Sequence, residues 1–444
     1  MTFRVSMLIL LLLLFFCPAS RAQTVLDMEE AVKIGLEANN SILAARNNLQ
    51  AAEMGRKAAR GLFGPRLTGA YSYTKYDTDS TTGFSSGATA GGDTAISDEL
   101  WQGSLTLTQP LFTGFEILST YQQSVLNTDV ARENLRQARL QLIFDIQSNF
   151  LAYLQAEENI RSAEDAVTRL ESQFKVSTAF FDVGLRPKLD VLQTEADLAR
   201  ARQDLLAAQN NLAVQYARLN TLLSWPTEKE VEYVGRLDFT PYPLTFEQSL
   251  EKAMLLRPDL TIAEKSVALA QKDVTIAGSD FYPKVNANFQ YSRLGDDPRL
   301  QGTDFQDKDD WRAGAALEWE LFASGTNYYT FKRERQNVER LRAELERLRE
   351  EIHFEVKSAF LNVREAASRI DVARTAVAAA KEGFRMSQAR YENQVGTYTD
   401  VLDAQARLTQ AEVDLTRAFT DYKTALSQLY RAMGVEQISL DHTG

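Results

Sequence analysis

The sequence predicts a mainly α-helical protein with transmembrane β-strands, built from two copies of one structural unit. Each chain supplies four strands and several long helices. Three observations carry this reading. The chain repeats itself: Leu26–Ile42 aligns with Leu244–Leu260 at an offset of 218, and Asp145–Leu151 (DIQSNFL) falls on Glu355–Leu361 (EVKSAFL) at an offset of 210. Four segments alternate with a period of two, giving one more apolar and one more polar face. The stretch from Phe115 to Phe181, more than sixty residues, lacks both proline and glycine. A duplication of this length means that one chain carries two copies of a large unit. The offset drops by eight between Pro65 and Phe112, which marks a variable loop in a shared scaffold.

The expected organisation is a signal peptide at 1–22, a first repeat at 23–223, a linker at 224–243, a second repeat at 244–434 and a tail at 435–444. Arg4, the apolar run Met7–Phe16 and the small residues Ser20 and Ala22 form an export signal. That run is too short to span a bilayer. Cys17 follows Phe15-Phe16, where a lipid-attachment signal needs small residues, so cleavage after Ala22 is expected and the mature chain has no cysteine. Removing Arg4 and Arg21 leaves 47 basic residues against 60 acidic ones, a net −13. That charge argues against nucleic acid as a partner.

The first helix of each copy is expected over Met28–Leu62 and Phe246–Phe281, stopped by Gly64-Pro65 and by Pro283. The alternating segments follow: Arg66–Lys75, Trp101–Leu111, Lys284–Tyr291 and Trp311–Leu321. In the last pair, Val285, Ala287, Phe289 and Tyr291 alternate with Lys284, Asn286, Asn288 and Gln290. This is the period of a two-faced strand. About ten residues suit a tilted bilayer crossing with aromatics at its ends. The intervening stretches, Asp77–Asp98 and Gly295–Asp310, read as exposed loops.

A long helix then runs from Phe115 to Phe181. Its stripe Ile160, Ala163, Val167, Leu170, Phe174 recurs as Ile370, Ala373, Val377, Ala380, Phe384. At ~1.5 Å per residue such a helix extends on the order of 100 Å. The closing helices carry Leu198, Ala201, Leu205, Ala208, Leu212 and Leu408, Ala411, Leu415, Ala418, Tyr422 at heptad spacing, which favours close helix packing. Ser224–Pro243, with Pro226, Pro241 and Pro243, reads as a linker with short local structure.

Four strands cannot close a barrel, and lipid tolerates no open edge. A dimer's eight strands would fill their own interior, whereas a homotrimer's twelve leave a lumen. Lys284, Asn286, Gln290, Glu318 and Glu320 suit its water. The expected object is a trimer: a short shared barrel in outer-membrane lipid, continued by an α-helical barrel in the periplasm.

These residues resemble the TolC-like outer membrane efflux proteins. The resemblance rests on the duplication, on QPLFTG (Gln109–Gly114) with its echo ELFASG (Glu320–Gly325), and on two turns. The turns are Val183-Gly184-Leu185 before Asp190-Val191-Leu192, and Val395-Gly396-Thr397 before Asp400-Val401-Leu402-Asp403. It implies a passive exit duct for an efflux or type I secretion system, working with a periplasmic adaptor protein and an inner-membrane transporter that supplies the energy.

It also assigns sites. Val183, Gly184, Leu185, Val395, Gly396 and Thr397 would meet the adaptor; on their own they read as turns, where glycine permits a tight bend. Asp400 and Asp403 share a helix face. Spacing alone makes them a solvated face or partners of the helix dipole; the resemblance makes them acidic rings at the periplasmic entrance, which in a pore favour cations. Asp190 matches an aspartate that helps hold the entrance shut by pairing with an arginine. Here that arginine's neighbourhood reads Gly396-Thr397-Tyr398-Thr399, so Tyr398 or Tyr391 is left to bond instead.

No catalytic motif (GxSxG, P-loop or HExxH) is present, and His353 and His442 lie far apart in sequence. The expectation is a non-enzyme without cofactor or metal. A periplasmic coiled-coil or adaptor-like protein is the competing reading, and it leaves the four two-faced strands unexplained. Without a His/Met-rich lining, a dedicated soft-metal exporter is disfavoured.

Overall fold

Helix signals and alternating segments alternate along the chain, and the computed structural model follows that order. It describes residues 24–75, 99–295, 297–301 and 309–440. The signal peptide with Cys17, the stretch Asp77–Asp98, residues 296 and 302–308 of the second expected loop, and His442 lie outside the described residues.

The elements are β1 (Thr24–Leu26), α1 (Met28–Ala38), α2 (Asn40–Gly61), β2 (Arg66–Lys75), β3 (Glu99–Phe112), α3 (Glu116–Asp182) and α4 (Lys188–Leu222). The chain continues with β4 (Val231–Tyr233), α5 (Phe246–Leu256), α6 (Pro258–Gly278), a 3-10 turn at Ser279–Phe281, β5 (Lys284–Gly295), β6 (Asp309–Glu318), α7 (Thr326–Glu392) and α8 (Tyr398–Ala432). The backbone records the duplication residue by residue. Gly114 and Ser324, Phe115 and Gly325, Gly184 and Gln394, and Ser224 and Gly434 all lie in the left-handed region and 210 positions apart. Side chains need not match for this to hold; the bend does.

The single first helix expected in each copy is two helices. Asn39 breaks the first and Arg257 the second, both in extended backbone. Pro258 forces the second break, because a residue before proline is driven out of the helical region. At the first break, Asn39 Oδ1 accepts from Ser41 N at 2.8 Å, a local bond that competes with the helix. Both breaks have the same tertiary partner. Asn39 Nδ2 donates to Leu222 O at 2.8 Å and Arg257 Nη1 to Ala432 O at 3.1 Å, the last carbonyls of α4 and α8. Those carbonyls have no intrahelical donor.

Two compact units emerge, and each draws on both copies. The first takes its described residues from 1–43, 137–257 and 351–444. Its core holds Ile146, Phe150, Leu151, Ile352, Val356 and Ile370. Here the expected linker is docked. β4 pairs in parallel with β1, Thr24 facing Val231 and Leu26 facing Tyr233. Tyr233 is buried and donates to Asn220 Oδ1 at 2.5 Å. Lys423, also buried, pairs with Asp238. A three-residue strand is too short for periodicity to reveal.

The second unit comprises the described residues of 44–136 and 258–350. It holds an antiparallel sheet in the order β2-β3-β5-β6, so β2 and β6 are its edges. Register puts Leu67, Leu107, Phe289 and Ala313 in one row and Gly69, Leu105, Tyr291 and Trp311 in the next. The opposite face carries Thr68, Thr106, Gln290 and Arg312. A bulge falls between Pro110 and Phe112, next to a proline that has no amide hydrogen for the ladder. β6 stops at Glu318 instead of running to Leu321, because its partner β5 begins at Lys284, after Pro283.

The turns into the long helices are fixed from behind. Gly114 sits where a Cβ would come within 2.6 Å of Ser279 O. Gln109 Nε2 donates to Phe63 O at 2.9 Å, and Trp319 Nε1 donates to Phe281 O at 3.3 Å. These donors and acceptors are repeat equivalents, at offsets of 210 and 218. The QPLFTG glutamine therefore ties strand to helix end, and a tryptophan does the same in the second copy.

Candidate functional site

The two tips lie in the first unit. α3 and α7 end in the same Schellman geometry. In the first tip Gly184 N donates to Phe181 O at 2.9 Å and Leu185 N to Phe180 O at 2.8 Å. In the second, Gln394 N donates to Tyr391 O at 2.9 Å and Val395 N to Arg390 O at 3.0 Å. The left-handed residue is Gly184 in one and Gln394 in the other. Gly396 is thus not the second turn's bend, as its spacing suggests. It is buried, and a Cβ there would meet Arg390 Cβ at 3.2 Å. Val183, Gly184, Leu185, Val395 and Thr397 are exposed.

Arg186 joins the tips. Its Nη2 donates to Gly396 O at 2.8 Å, and its guanidinium lies 4.9 Å from the centroid of the Tyr391 ring. Beneath it Tyr391, Tyr398 and Val401 form a small core with Val176, Phe180, Phe384 and Leu402 around them. Ser177 Oγ is within hydrogen-bonding distance of Thr194 Oγ1 (3.3 Å) and Tyr391 Oη (3.4 Å).

The Tyr398 hydroxyl donates to Asp197 Oδ2 at 3.0 Å. Burial, and then the charge of Asp197, pushes the Tyr398 phenol up, so it stays a donor throughout the physiological range. Asp190 lies two turns earlier on the same face of α4. It engages through its backbone, accepting from Thr194 Oγ1 at 2.7 Å. Its carboxylate has no partner among the described residues. The carboxylate that meets Tyr398 is therefore Asp197, which sequence reasoning missed. The i, i+7 spacing of Asp190 and Asp197 was the available signal.

Asp400 and Thr397 cap α8 reciprocally. Asp400 N donates to Thr397 Oγ1 at 3.2 Å, and Thr397 N donates to Asp400 Oδ2 at 3.0 Å. The Thr397 amide and hydroxyl, with Arg390 nearby, hold the Asp400 carboxyl below the usual carboxylate range. Asp400 and Asp403 line an open groove together with Arg390 and Arg407. Two acids and two arginines leave the groove formally neutral. A purely acidic face, as i, i+3 spacing suggests, is not what the fold assembles.

Among the described residues no helix is long and apolar enough to cross a membrane. Comparison with known proteins bears on the sheet and helices together. The outer membrane efflux protein family matches residues 32–224 and 249–435. The alkaline protease secretion protein AprF of Pseudomonas aeruginosa is 24% identical over 71% of this chain and 65% of its own length. The outer membrane efflux protein BepC of Brucella suis is 22% identical over 64% and 57%. The chain thus spans less than two thirds of these relatives. In fold it is similar to the Campylobacter jejuni CmeC outer membrane channel, with 15% identity, 92% of this chain, 85% of that one and a TM-score of 0.79. It is also similar to the outer membrane protein VceC of Vibrio cholerae, at 18%, 92%, 96% and 0.77. With the family profile covering both repeats, the chain belongs to the outer membrane efflux protein family, TolC-like in fold and located in the Gram-negative outer membrane with a large periplasmic portion.

Proposed function

We propose that three copies of this chain form a passive exit duct, closing a twelve-stranded barrel in the outer membrane over a periplasmic helical barrel. One observation carries the reading. The sheet's apolar face is bare: Leu67 is 67% exposed, Trp311 67% and Leu317 66%. Leaving such a face in water is unfavourable, whereas lipid matches it. The polar face and the two unpaired edges then require neighbours that close a ring. The closing helices agree. α4 buries four residues of its 35 and α8 buries fourteen of its 35, so α4 presents the surface that another copy would cover.

Work is done elsewhere: an inner-membrane transporter loads the duct through a periplasmic adaptor that seats on the tips. The named relatives include a protease secretion component and an efflux component. What they share is the duct, and the cargo is selected by the pump.

The test is native mass spectrometry of the detergent-extracted protein, followed by planar-bilayer recording. Three chains per particle and stepwise conductance are expected. A monomer, or a trimer that passes no current, overturns the reading. For the adaptor, a crosslinking cysteine at Gly184 or Val395 should capture a periplasmic partner in cells. Gly396, being buried, is the poor choice of position.

A further inference from the structure

The sheet of the second unit has two long, unprotected edges. β2 and β6 are ten residues each, and every one of those residues is exposed. Neither strand contains proline, and the ladders of β2 with β3 and of β5 with β6 run without a bulge. Prolines, bulges and short strands keep an edge from pairing, so an edge without them is one that pairs.

The two edges carry opposite charge at their ends. β2 begins with Arg66 and ends with Lys75, whereas β6 begins with Asp309 and ends with Glu318. Each neighbour in the order β2-β3-β5-β6 is antiparallel, so β6 of one copy meets β2 of another antiparallel as well. Laid together over their full length, Glu318 faces Arg66 and Asp309 faces Lys75. One register makes both pairs. The Arg66 and Glu318 side chains have no partner among the described residues, and this register supplies one to each. Lys75 lies 3.9 Å from Glu99 and Asp309 lies 3.5 Å from Arg293, each on its inner side, so the signs alternate across the joint.

The side chains between the ends agree. On the apolar face Leu67 faces Leu317 and Tyr73 faces Trp311. A slip of one residue sets the apolar face of one strand beside the polar face of the other. A slip of two puts Lys75 beside Trp311, or Arg66 beside Ala316. The tilt of the strands agrees too. Across the chain's own sheet Arg66 lies level with Gly314. The joint sets Gly314 against Ala70 of the next copy, four positions further along β2. That is a rise of about 13 Å over four strand spacings of about 19 Å in all, a tilt of about 35°. Membrane barrels tilt by about 35–45°, and a joint without displacement has no tilt.

We propose that β6 of one copy pairs with β2 of the next in this single register, Glu318 against Arg66 and Asp309 against Lys75. The inference rests on the duct reading and adds which residues meet where one copy joins another.

The experiment oxidises paired-cysteine variants of the full-length protein in membranes. Thr68→Cys with Ala316→Cys is level in the proposed register. Thr68→Cys with Gly314→Cys, and Thr68→Cys with Glu318→Cys, are each two residues off. Opposed Cα atoms lie about 4.5–5.5 Å apart and diagonal ones about 7–8 Å, while a disulfide needs about 4.4–6.8 Å. The level pair should give at least about tenfold more covalent trimer than either offset pair. A trimer linked through an offset pair, or through none, overturns the register and leaves the duct reading standing. Absence of a trimer overturns both. A second measurement does not depend on disulfide geometry. Arg66→Gln and Glu318→Gln should each lower the temperature at which the trimer dissociates, and the double variant should lower it no further than either alone. Additive losses mean that the two side chains do not meet, and overturn the register equally.

Discussion

Gly184 and Gln394 occupy the same left-handed position, 210 residues apart, at the ends of the two long helices, with φ of +76° and +62°. One is free of strain there and the other is not. A Cβ at Gly184 would meet nothing within 4 Å, so the difference lies in the backbone alone. Gln394→Gly should stabilise the second tip by about 1 kcal/mol and slow the exchange of its turn amides about fivefold. Gly184→Gln should do the reverse in the first tip. Hydrogen exchange read by mass spectrometry resolves both; unequal or absent shifts would show that the turns are held by something other than this geometry.

Tyr398 binds Asp197, not Asp190. Tyr398→Phe keeps the ring and removes the donor, a loss of about 1–2 kcal/mol for a bond to a charged acceptor. If this bond holds the entrance, single-channel current should rise in Tyr398→Phe and in Asp197→Ala. Asp190→Ala, which removes a carboxylate without a partner, should leave it near the unaltered value. A larger effect at Asp190 would reverse the assignment.

The groove at Asp400 and Asp403 also holds Arg390 and Arg407. Replacing both aspartates by alanine exposes two uncompensated arginines in each chain. The reversal potential in a salt gradient should therefore move toward anion selectivity, beyond a mere loss of cation preference. Adding Arg407→Ala should bring it part of the way back. An unchanged potential would place the groove outside the conduction path.

The Asp400 carboxyl lies below its ordinary value in the folded protein, first because the Thr397 amide and hydroxyl bond its charged form. A depressed carboxylate stabilises at pH above its unfolded value, and that contribution is lost as pH falls through the folded value. The α8 cap should thus be intact from neutral pH down to about 4 and loosen only below that, near the unfolded carboxylate value. A spin label at Val395 should gain mobility in that acid range, and Asp400→Asn should flatten the dependence. Loosening above pH 5 would show that another group governs the cap.

The strands and long helices were legible because their signals are local and repeated. β2 runs over Arg66–Lys75 as the alternation indicates, and the long helix begins one residue after Phe115. The breaks at Asn39 and Arg257 were hidden, although Pro258 advertised the second. A periodic apolar stripe continues across a break, and the carbonyl that receives each break's side chain lies at the far end of another helix. The strand Val231–Tyr233 escaped for want of length.

At the tips the sequence by itself determined the turn positions, the shared face of Asp400 and Asp403, and the duplication that makes each tip answer to the other. These follow from chain-local rules: spacing, glycine, and the period of a helix. Only the tertiary structure decided which carboxylate meets Tyr398, that Gly396 is covered while Gln394 bends, and that arginines neutralise the acids. The first depends on side chains 201 residues apart, the second on a turn register, and the third on Arg390 being brought from the end of α7 against α8, where Arg407 already follows Asp403 by one turn. Spacing along one helix gives no access to what a second helix brings against it.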